Sequence, residues 1–252
     1  MRGDSLGDRM KGYERAAKVV LPRRMPVILR VDGKAFHTVT RGCDKPFDWD
    51  LMAKMDRVAV ELCEEAQGAV FAFVQSDEVS VLLHNYKRIQ SEAWFDNEVQ
   101  KLVSVSASIA AGVFSRAWVT EVAFDARVFV LPEAEVANYF IWRQQDATRN
   151  SIQMATRAVY SHKQVDGLNT SEMQELLHAK GINWNDYKPG EKRGRAVVRD
   201  AYEVDAPGGG TVTRHAWRVV DPPIFTQDRR FIEQHLATDP EIPCPPHDPP
   251  KP

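Results

Sequence analysis

The sequence is short of cysteine and of long apolar runs, and each shortage excludes a class of protein. Its three cysteines, Cys43, Cys63 and Cys244, are odd in number and show no metal-ligand spacing. They argue against a disulfide framework and favour a reducing compartment. No apolar stretch approaches the roughly 18 residues that a membrane-spanning helix needs, and the polar start, Met1–Ser5, lacks the apolar core of a signal peptide. We expect a cytoplasmic protein with no membrane partner.

The chain also lacks an excess of charge of either sign. It has 33 Lys plus Arg against 35 Asp plus Glu, which gives a formal net charge of −2. A protein that coats nucleic acid is usually far more basic, so any RNA partner must be held by a local patch. At 252 residues the chain has room for one large domain, or for a core with an appendage.

Short apolar runs and amphipathic segments predict the fold. Runs typical of buried strands occupy residues 25–31, 69–75, 79–84 and 126–131. Helical patterns occupy residues 10–20, 49–66, 99–118 and 133–160. Asp48 is placed to cap the second helix. After the N-terminal helix the order is β-α-β-β-α-β, which predicts an α+β, ferredoxin-like core.

The C-terminal part has a weaker pattern. It predicts one helix and two strands, over residues 171–180, 195–204 and 211–220, with a Pro- and Gly-rich hairpin tip at 206–210. The last residues are dense in proline, and we expect them to be disordered. The predicted units are a catalytic core over residues 1–160, a helix and β-hairpin extension over 161–239, and a disordered tail over 240–252.

Carboxylates stand at the ends of two predicted strands. Asp32 closes the first strand, and Asp77 and Glu78 lie at the turn of the predicted hairpin. Carboxylates on adjacent strands repel one another, and one or two of them with water and phosphate suit Mg²⁺. Each motif alone also fits an ordinary turn or helix cap. Their joint placement favours a two-metal phosphoryl-transfer site, in which the Gly33 carbonyl can complete a metal shell.

The segment Gly33–His37 follows the first carboxylate directly. Its backbone N–H groups can cradle a triphosphate, although the segment is no Walker motif. His37 either binds phosphate or only satisfies the loop. Lys45 is a further phosphate candidate whose plainer interpretation is a solvated lysine. Lys101 opens an otherwise apolar helix, where the positive helix end favours phosphate.

A basic run near the C-terminal strands is the candidate RNA surface. Its members are Lys188, Lys192, Arg193, Arg195 and Arg199. Three arginines of the long predicted helix, Arg143, Arg149 and Arg157, extend that surface. Contacts of this kind go to the phosphate backbone and fix position without reading sequence. A solvated loop is an equally simple interpretation of the run.

These motifs resemble those of the tRNA-His guanylyltransferase family, particularly its bacterial and archaeal like-protein branch. The matching segments are Arg30–His37, Lys45–Asp48, Gln75–Ser80, Phe124–Arg127 and Trp142–Asp146. The Asp-Gly-Lys-x-Phe-His and Gln-Ser-Asp-Glu elements are quite specific as a pair. Their order and spacing agree with the family over most of the chain.

The resemblance implies a palm-like catalytic domain that adds nucleotides to the 5′ end of a tRNA in the 3′–5′ direction. The 5′ monophosphate is activated with ATP or GTP, and the 3′-hydroxyl of an incoming nucleotide then attacks the activated end. Asp32 and Asp77 are implied to hold two Mg²⁺ ions with the Gly33 carbonyl, and Glu78 to support that shell. The family also implies a homotetramer.

The implied nucleotide contacts are Gly33, Lys34, Ala35, Phe36, His37, Lys45, Ser76 and Lys101. The candidate RNA contacts are Arg149, Asn150, Lys188, Lys192, Arg193 and Arg195. Thr148–Ser151 replaces a His-Ile-Asn-Asn element that in eukaryotic members is tied to the choice of tRNA-His. Glu98 stands near Lys101 where a basic residue is often found. We therefore favour template-paired repair of 5′-truncated tRNAs over strict guanosine addition to tRNA-His.

Two other functions stay open. A palm-fold nucleotide cyclase would consume nucleotide without RNA, but cyclases lack the loop context of His37 and Lys45. An RNA-binding or sensor module with degenerate catalysis is the second. Asp32, Asp77 and Glu78 argue against it, although retained carboxylates do not prove turnover.

Overall fold

The computed structural model describes residues 5–87, 90–205 and 209–237. The strands in this part are β1 (Val27–Gly33), β2 (Ala69–Gln75), β3 (Glu78–Leu83), β4 (Phe124–Val130), β5 (Arg195–Asp205) and β6 (Thr211–Val220). They form one sheet in the order β4-β1-β3-β2-β5-β6, and all neighbouring strands are antiparallel.

The helices lie between and after these strands. They are α1 (Leu6–Ala16), α2 (Phe36–Val39), α3 (Trp49–Glu65), α4 (Val99–Arg116), α5 (Glu133–Arg157), α6 (His162–Val165), α7 (Thr170–Ala179), α8 (Pro189–Arg193) and α9 (Arg230–Glu233). The predicted β-α-β-β-α-β core is confirmed, with α3 and α4 as its two crossover helices. In the described residues, none of the helices combines the length and the apolar composition that crossing a bilayer requires.

Helices cover both faces of the sheet because the core strands are apolar on both sides. In β1, Val27 and Leu29 pack with α3 and α4, whereas Ile28 between them packs with α5 on the other face. Side chains of successive strand residues point to opposite faces, so one short run such as Val27–Val31 serves two cores. The strand that ends in the first carboxylate is thereby held from both sides.

The long helices begin close to the positions that the sequence predicts. The Asp48 carboxylate accepts the Leu51 N–H at 2.8 Å and caps α3 as expected. The prediction for the first helix is wrong in its bounds. The Ser5 hydroxyl accepts the Asp8 N–H at 3.1 Å and starts α1 several residues earlier. Val19 and Val20 are extended instead, because their backbone pairs with the chain just before α4.

The predicted C-terminal extension continues the core sheet. β5 pairs with β2 through Arg195, Ala196 and Val197, and β6 then pairs along the whole of β5. The division at residue 160 stays a prediction, but the strands on its two sides share one sheet. The predicted tail over residues 240–252 and the hairpin tip at 206–208 lie outside the described residues.

Gly194 controls how α8 is joined to β5. Its φ of +77° is a conformation that side chains with a Cβ rarely adopt. A Cβ on this residue would stand 2.6 Å from both the Phe73 ring and the Val74 carbonyl oxygen of β2. The close passage of the chain over β2 therefore requires glycine.

We expect Gly194→Ala to lower the free energy of unfolding by about 1–3 kcal/mol, from backbone strain and the clash with β2. Urea unfolding followed by circular dichroism measures this change. Gly112→Ala is the matched control, because no atom lies within 4 Å of its Cβ position in α4. That variant should gain up to about 1 kcal/mol from helix propensity. Equal stability of the two variants would contradict the account of Gly194.

Candidate active site

Backbone pairing brings Asp32 and Asp77 to the same edge of the sheet. Asp32 lies opposite Glu78 in the antiparallel pair of β1 and β3. The Gly33 N–H donates to the Asp77 carbonyl at 3.1 Å, which ties the β2–β3 turn to the end of β1. Ser76 adopts a φ of +47° in that tight turn. The predicted meeting of the two carboxylates is confirmed.

The environment of this pair disfavours two negative charges. Burial raises the pKa of Asp32, and Asp125 adds to the increase while Arg30 opposes it. Burial also raises the pKa of Asp77; a hydrogen bond from Ser76 opposes that shift, and repulsion from Asp32 adds to it. Within the described chain, the Asp32 carboxylate accepts no hydrogen bond and has no ion pair within 4 Å. Protein cations therefore do not fully balance the negative charge of the Asp32 and Asp77 carboxylates.

These oxygen donors suit a Mg²⁺ ion that keeps water and phosphate ligands better than they suit a metal ion held by protein ligands alone. Among the residues that the structure describes, no three His, Cys, Asp or Glu side chains converge on one point. Mg²⁺ needs only one or two carboxylates, because water and phosphate oxygens complete its octahedron. Asp32 and Asp77 are two carboxylates of that kind, side by side in the lining of one cleft.

Glu78 forms a buried ion pair with Arg143 of α5. The Arg143 guanidinium donates to both of its carboxylate oxygens, at 2.8 Å and 2.6 Å. The Ser80 hydroxyl lies 3.3 Å from the same carboxylate, and the Arg30 Nε lies 3.8 Å from it. Glu78 thus takes part in an ion pair that joins β3 to α5, and its expected support of a metal shell stays a prediction.

Arg143 was expected on an RNA surface, and that prediction is wrong. Its side chain is buried, with 6% of the residue exposed. It also donates to Asp146 at 3.0 Å, one turn along α5. The sequence held a signal for this burial: Arg143 follows the buried Phe140 and precedes the buried Ala147 at helical spacing. A charged residue on such a stripe needs an internal partner.

A first cleft opens beside Asp77, with a volume of about 640 Å³. Its lining includes the predicted phosphate ligands His37 and Lys45, two further cations, Arg41 and Arg157, and Ser76. The sequence analysis did not single out Arg41, although it follows the predicted phosphate loop. The cleft brings positive charge to one side of the carboxylate pair.

The loop between β1 and α2 offers backbone donors to this cleft. The Lys34 N–H is used by the Ala123 carbonyl, and Thr38 donates to the Ala35 carbonyl. The backbone N–H groups of Ala35, Phe36 and His37 donate to no backbone carbonyl in the described residues. Three N–H groups in succession are therefore available to an anion.

Phe36 has a structural role that the sequence analysis did not foresee. Its ring is buried against Phe114 and Phe124, at centroid distances of 5.2 Å and 5.3 Å. A Cβ on Gly33 would lie 2.2 Å from that ring. Gly33 is therefore required for the packing of Phe36, whereas the sequence analysis considered only its carbonyl and its contact with a nucleotide. The Phe36 side chain packs in the core, so a ligand in the first cleft can contact only the backbone of this residue.

A second cleft, of about 460 Å³, lies on the other side of Asp77. Its lining is Arg30, Asp32, Gln75, Ser76, Asp77, Glu78, Trp142, Arg143, Asp146 and Asn150. Ser76, Asp77 and Asn150 line both clefts. Asp77 therefore stands where two ligand-sized spaces meet, and Asp32 lines the second of them.

The remaining candidates are dispersed. Lys101 lines neither cleft, and its ammonium lies 3.7 Å from Glu98 on the exposed start of α4. Arg195 is buried, and its guanidinium pairs with Asp56 of α3. This burial contradicts the predicted RNA contact for Arg195.

Two of the other basic residues make cation–π contacts with aromatic rings. The Lys188 ammonium lies 3.8 Å from the centroid of Trp49. Lys192 lies over Trp184 and donates to the Asn185 carbonyl at 2.6 Å. Arg149 is exposed and pairs with Asp146 at 2.8 Å. The predicted patch is thus an ordered surface of cations and rings, not a solvated loop.

We expect Arg143→Met to destabilise the protein by about 3–5 kcal/mol, because it leaves the buried Glu78 carboxylate unpaired. Adding Glu78→Gln should recover part of that loss, since the uncompensated charge is then removed. A double-mutant cycle from urea unfolding measures the coupling. Strictly additive losses would show that the two side chains do not depend on each other.

Two comparisons of the sequence with known proteins find similarity to proteins of the same description. The family model described as tRNAHis guanylyltransferase matches residues 7–132. The tRNA(His) guanylyltransferase of Debaryomyces hansenii is 28% identical over 218 residues, which cover 77% of this chain and 80% of that protein.

Two solved structures are similar over almost the whole chain. A bacterial tRNA(His) guanylyltransferase-like protein in complex with ATP is 43% identical, with a TM-score of 0.86, over 93% of this chain and 100% of that one. A bacterial protein of the same description in complex with GTP is 43% identical, with a TM-score of 0.82, over 92% and 99%.

Proposed function

The chain belongs to the tRNA(His) guanylyltransferase family and is a nucleotidyltransferase, and we propose that it adds nucleotides to the 5′ end of a tRNA in the 3′–5′ direction. The observation that carries this proposal is the position of Asp77 in both clefts, with Asp32 beside it in the second. A nucleotidyltransferase must hold an RNA end and a nucleoside triphosphate against one reacting phosphate. Two adjoining clefts at one carboxylate pair satisfy that requirement.

The first cleft is the proposed site of the triphosphate of ATP or GTP. Its cations are Arg41, Lys45 and Arg157, and the His37 imidazole lines the same cleft. They are joined by the free N–H groups of residues 35–37 and by the Ser76 hydroxyl. These groups oppose the charge of the phosphates and hold them in place while the bond is made. Lys101 is not part of this set, because its ammonium faces Glu98 outside the clefts.

Mg²⁺ is the proposed cofactor, held by Asp32, Asp77 and the Gly33 carbonyl. When bound, it would offset phosphate charge and align the entering and leaving oxygens. The protein's own contribution is to keep the two carboxylates desolvated and close, through the β1–β3 pairing and the Gly33–Asp77 backbone bond. Glu78 and Arg143 support the same edge of the sheet from inside.

The proposed chemistry has two displacements. In the first, an oxygen of the RNA 5′ phosphate attacks the α-phosphorus of ATP or GTP, and pyrophosphate leaves. In the second, the 3′-hydroxyl of an incoming nucleotide attacks the activated 5′ phosphate, loses its proton, and displaces the nucleoside monophosphate. Both displacements concern phosphates at the junction of the clefts, so one carboxylate pair can serve both.

The tRNA surface is proposed to include Arg149 and Asn150 at the cleft, with Lys188, Lys192 and Arg193 beyond it. Their charges suit the phosphate backbone, and the salt dependence of tRNA affinity counts such contacts. Family resemblance further suggests a cytoplasmic homotetramer, which analytical ultracentrifugation and cell fractionation test.

Repair of 5′-truncated tRNA is the preferred form of this activity. The identity of 43% to a bacterial like-protein exceeds the 28% to a yeast tRNA(His) guanylyltransferase. Incorporation of labelled nucleotides into a tRNA lacking its first nucleotide, with ATP and Mg²⁺, tests it. Template-matched addition supports repair, and preferential G addition to full-length tRNA-His supports the narrower activity. Nucleotide turnover without RNA would favour a cyclase instead, and silence in every reaction would favour a sensor.

We expect Asp77→Asn to abolish incorporation, with a loss of at least about a thousandfold if both displacements depend on it. The variant should remain folded, because Asn keeps the size of the side chain. Asp200→Asn is the control, since Asp200 is an exposed carboxylate of β5 whose partner is Arg218. Retained incorporation in Asp77→Asn would remove this residue from the catalytic site.

A further inference from the structure

Trp142 is an exposed aromatic residue in an acidic part of the candidate site. It lies on α5, is 47% exposed, and lines the second cleft with Asp32 and Asp77. The guanidinium carbon of Arg143 lies 4.4 Å from the centroid of its ring. Arg143 is itself fixed by Glu78, and the Tyr139 ring also contacts the indole, at a centroid distance of 5.8 Å. The indole is therefore supported by the protein and still about half exposed.

The charges of the second cleft do not suit a triphosphate. Both of its arginines, Arg30 and Arg143, face Glu78, at 3.8 Å and 2.6 Å. Their positive charge is therefore already compensated. The second cleft is acidic, because its lining has four carboxylates (Asp32, Asp77, Glu78 and Asp146) against those two arginines. The first cleft has three cations (Arg41, Lys45 and Arg157) against three carboxylates (Asp44, Asp48 and Asp77). The second cleft is better matched to an uncharged, flat group than to phosphate.

Gln75 adds a polar group of the kind that reads base edges. It is only 4% exposed and lines the same cleft. Its Oε1 is buried and has no hydrogen-bond partner in the part of the chain that the structure describes. Its Nε2 lies 3.5 Å from both Glu78 and Asp146, which orients the amide. Because buried acceptors are usually hydrogen-bonded, this unpaired oxygen is a candidate to accept a hydrogen bond from an N–H group of a ligand.

We infer that Trp142 is the stacking platform for the base of the RNA's 5′-terminal nucleotide. The inference rests on the proposed function. In that function the 5′ phosphate must reach the carboxylate pair from the side that the triphosphate does not occupy. The base attached to that nucleotide then enters the second cleft, stacks on the indole, and places an N–H edge near the Gln75 Oε1. Stacking on aromatic side chains is sequence-tolerant, which suits an enzyme that accepts different 5′ ends.

The test uses a tRNA that lacks its first nucleotide and carries 2-aminopurine as its new 5′-terminal base. Stacking on the indole quenches the fluorescence of 2-aminopurine. With saturating wild-type protein we expect quenching, retained in Trp142→Phe and lost in Trp142→Leu. Leucine keeps apolar bulk over Arg143 but has no π-face. The RNA dissociation constant should rise roughly 5- to 150-fold in Trp142→Leu, the range that loss of one stacked base gives.

Tyr13→Ala is the matched control, because Tyr13 on α1 is 75% exposed and lines neither cleft. This variant should quench as the wild type does. Equal quenching in Trp142→Leu and wild type would overturn the inference. So would a Trp142-dependent quenching of 2-aminopurine riboside triphosphate in place of RNA, since the ring would then hold the free nucleotide.

Incorporation by the wild-type protein separates the two levels of the argument. If the wild type extends the unlabelled truncated tRNA and Trp142→Leu does so with the same KM for RNA, the stacking role fails and the proposed function stands. If the wild type neither binds nor extends this RNA, the proposed function fails, and the stacking role fails with it.

Discussion

The antiparallel pairing of β1 with β3 is the constraint on which the rest of the site depends. It places Asp32 opposite Glu78, and the bond from the Gly33 N–H to the Asp77 carbonyl then closes the β2–β3 turn against the end of β1. A slip of one residue would turn every side chain of β1 to the other face. The apolar residues that bury β1 between α4 and α5 therefore also hold the carboxylates in register.

The three acidic residues gathered by this pairing are compensated unequally, and their roles follow from that difference. Glu78 is satisfied by Arg143 and faces Arg30, so it stabilises the contact of β3 with α5. Asp32 and Asp77 are only partly offset: burial raises the pKa of each carboxyl, and repulsion from Asp125 adds to the increase at Asp32 as repulsion from Asp32 does at Asp77. Their charge is left for a cation and, through it, for phosphate. The clefts on either side of Asp77 then provide separate places for a cationic contact and an aromatic one.

The sequence predicts the local features of this protein and misses the long-range pairs. The strand runs, the Asp48 cap and the placement of Asp32 with Asp77 follow from hydrophobic pattern and turn chemistry, and all are confirmed. The partners of Glu78 and Arg195 lie 65 and 139 residues away in the chain, and no local pattern indicates which charges are buried together. The family resemblance names Gly33 and Phe36 as site residues, but the physical reason for Gly33, contact with a buried ring, becomes visible only in the packed core.

The most direct test of the account is the thermal stability of wild type and Asp77→Asn with and without Mg²⁺ at pH 7. Burial raises the pKa of Asp77, so its ionised form costs stability as pH rises through the ordinary carboxyl range and beyond. Asp77→Asn should therefore unfold at a higher temperature than wild type in chelator. Mg²⁺ at a hundredfold excess over its dissociation constant should stabilise the wild type by about 2.7 kcal/mol and the variant little. An equal response of both proteins to Mg²⁺, or no response of the wild type, would contradict a cation site at Asp32 and Asp77.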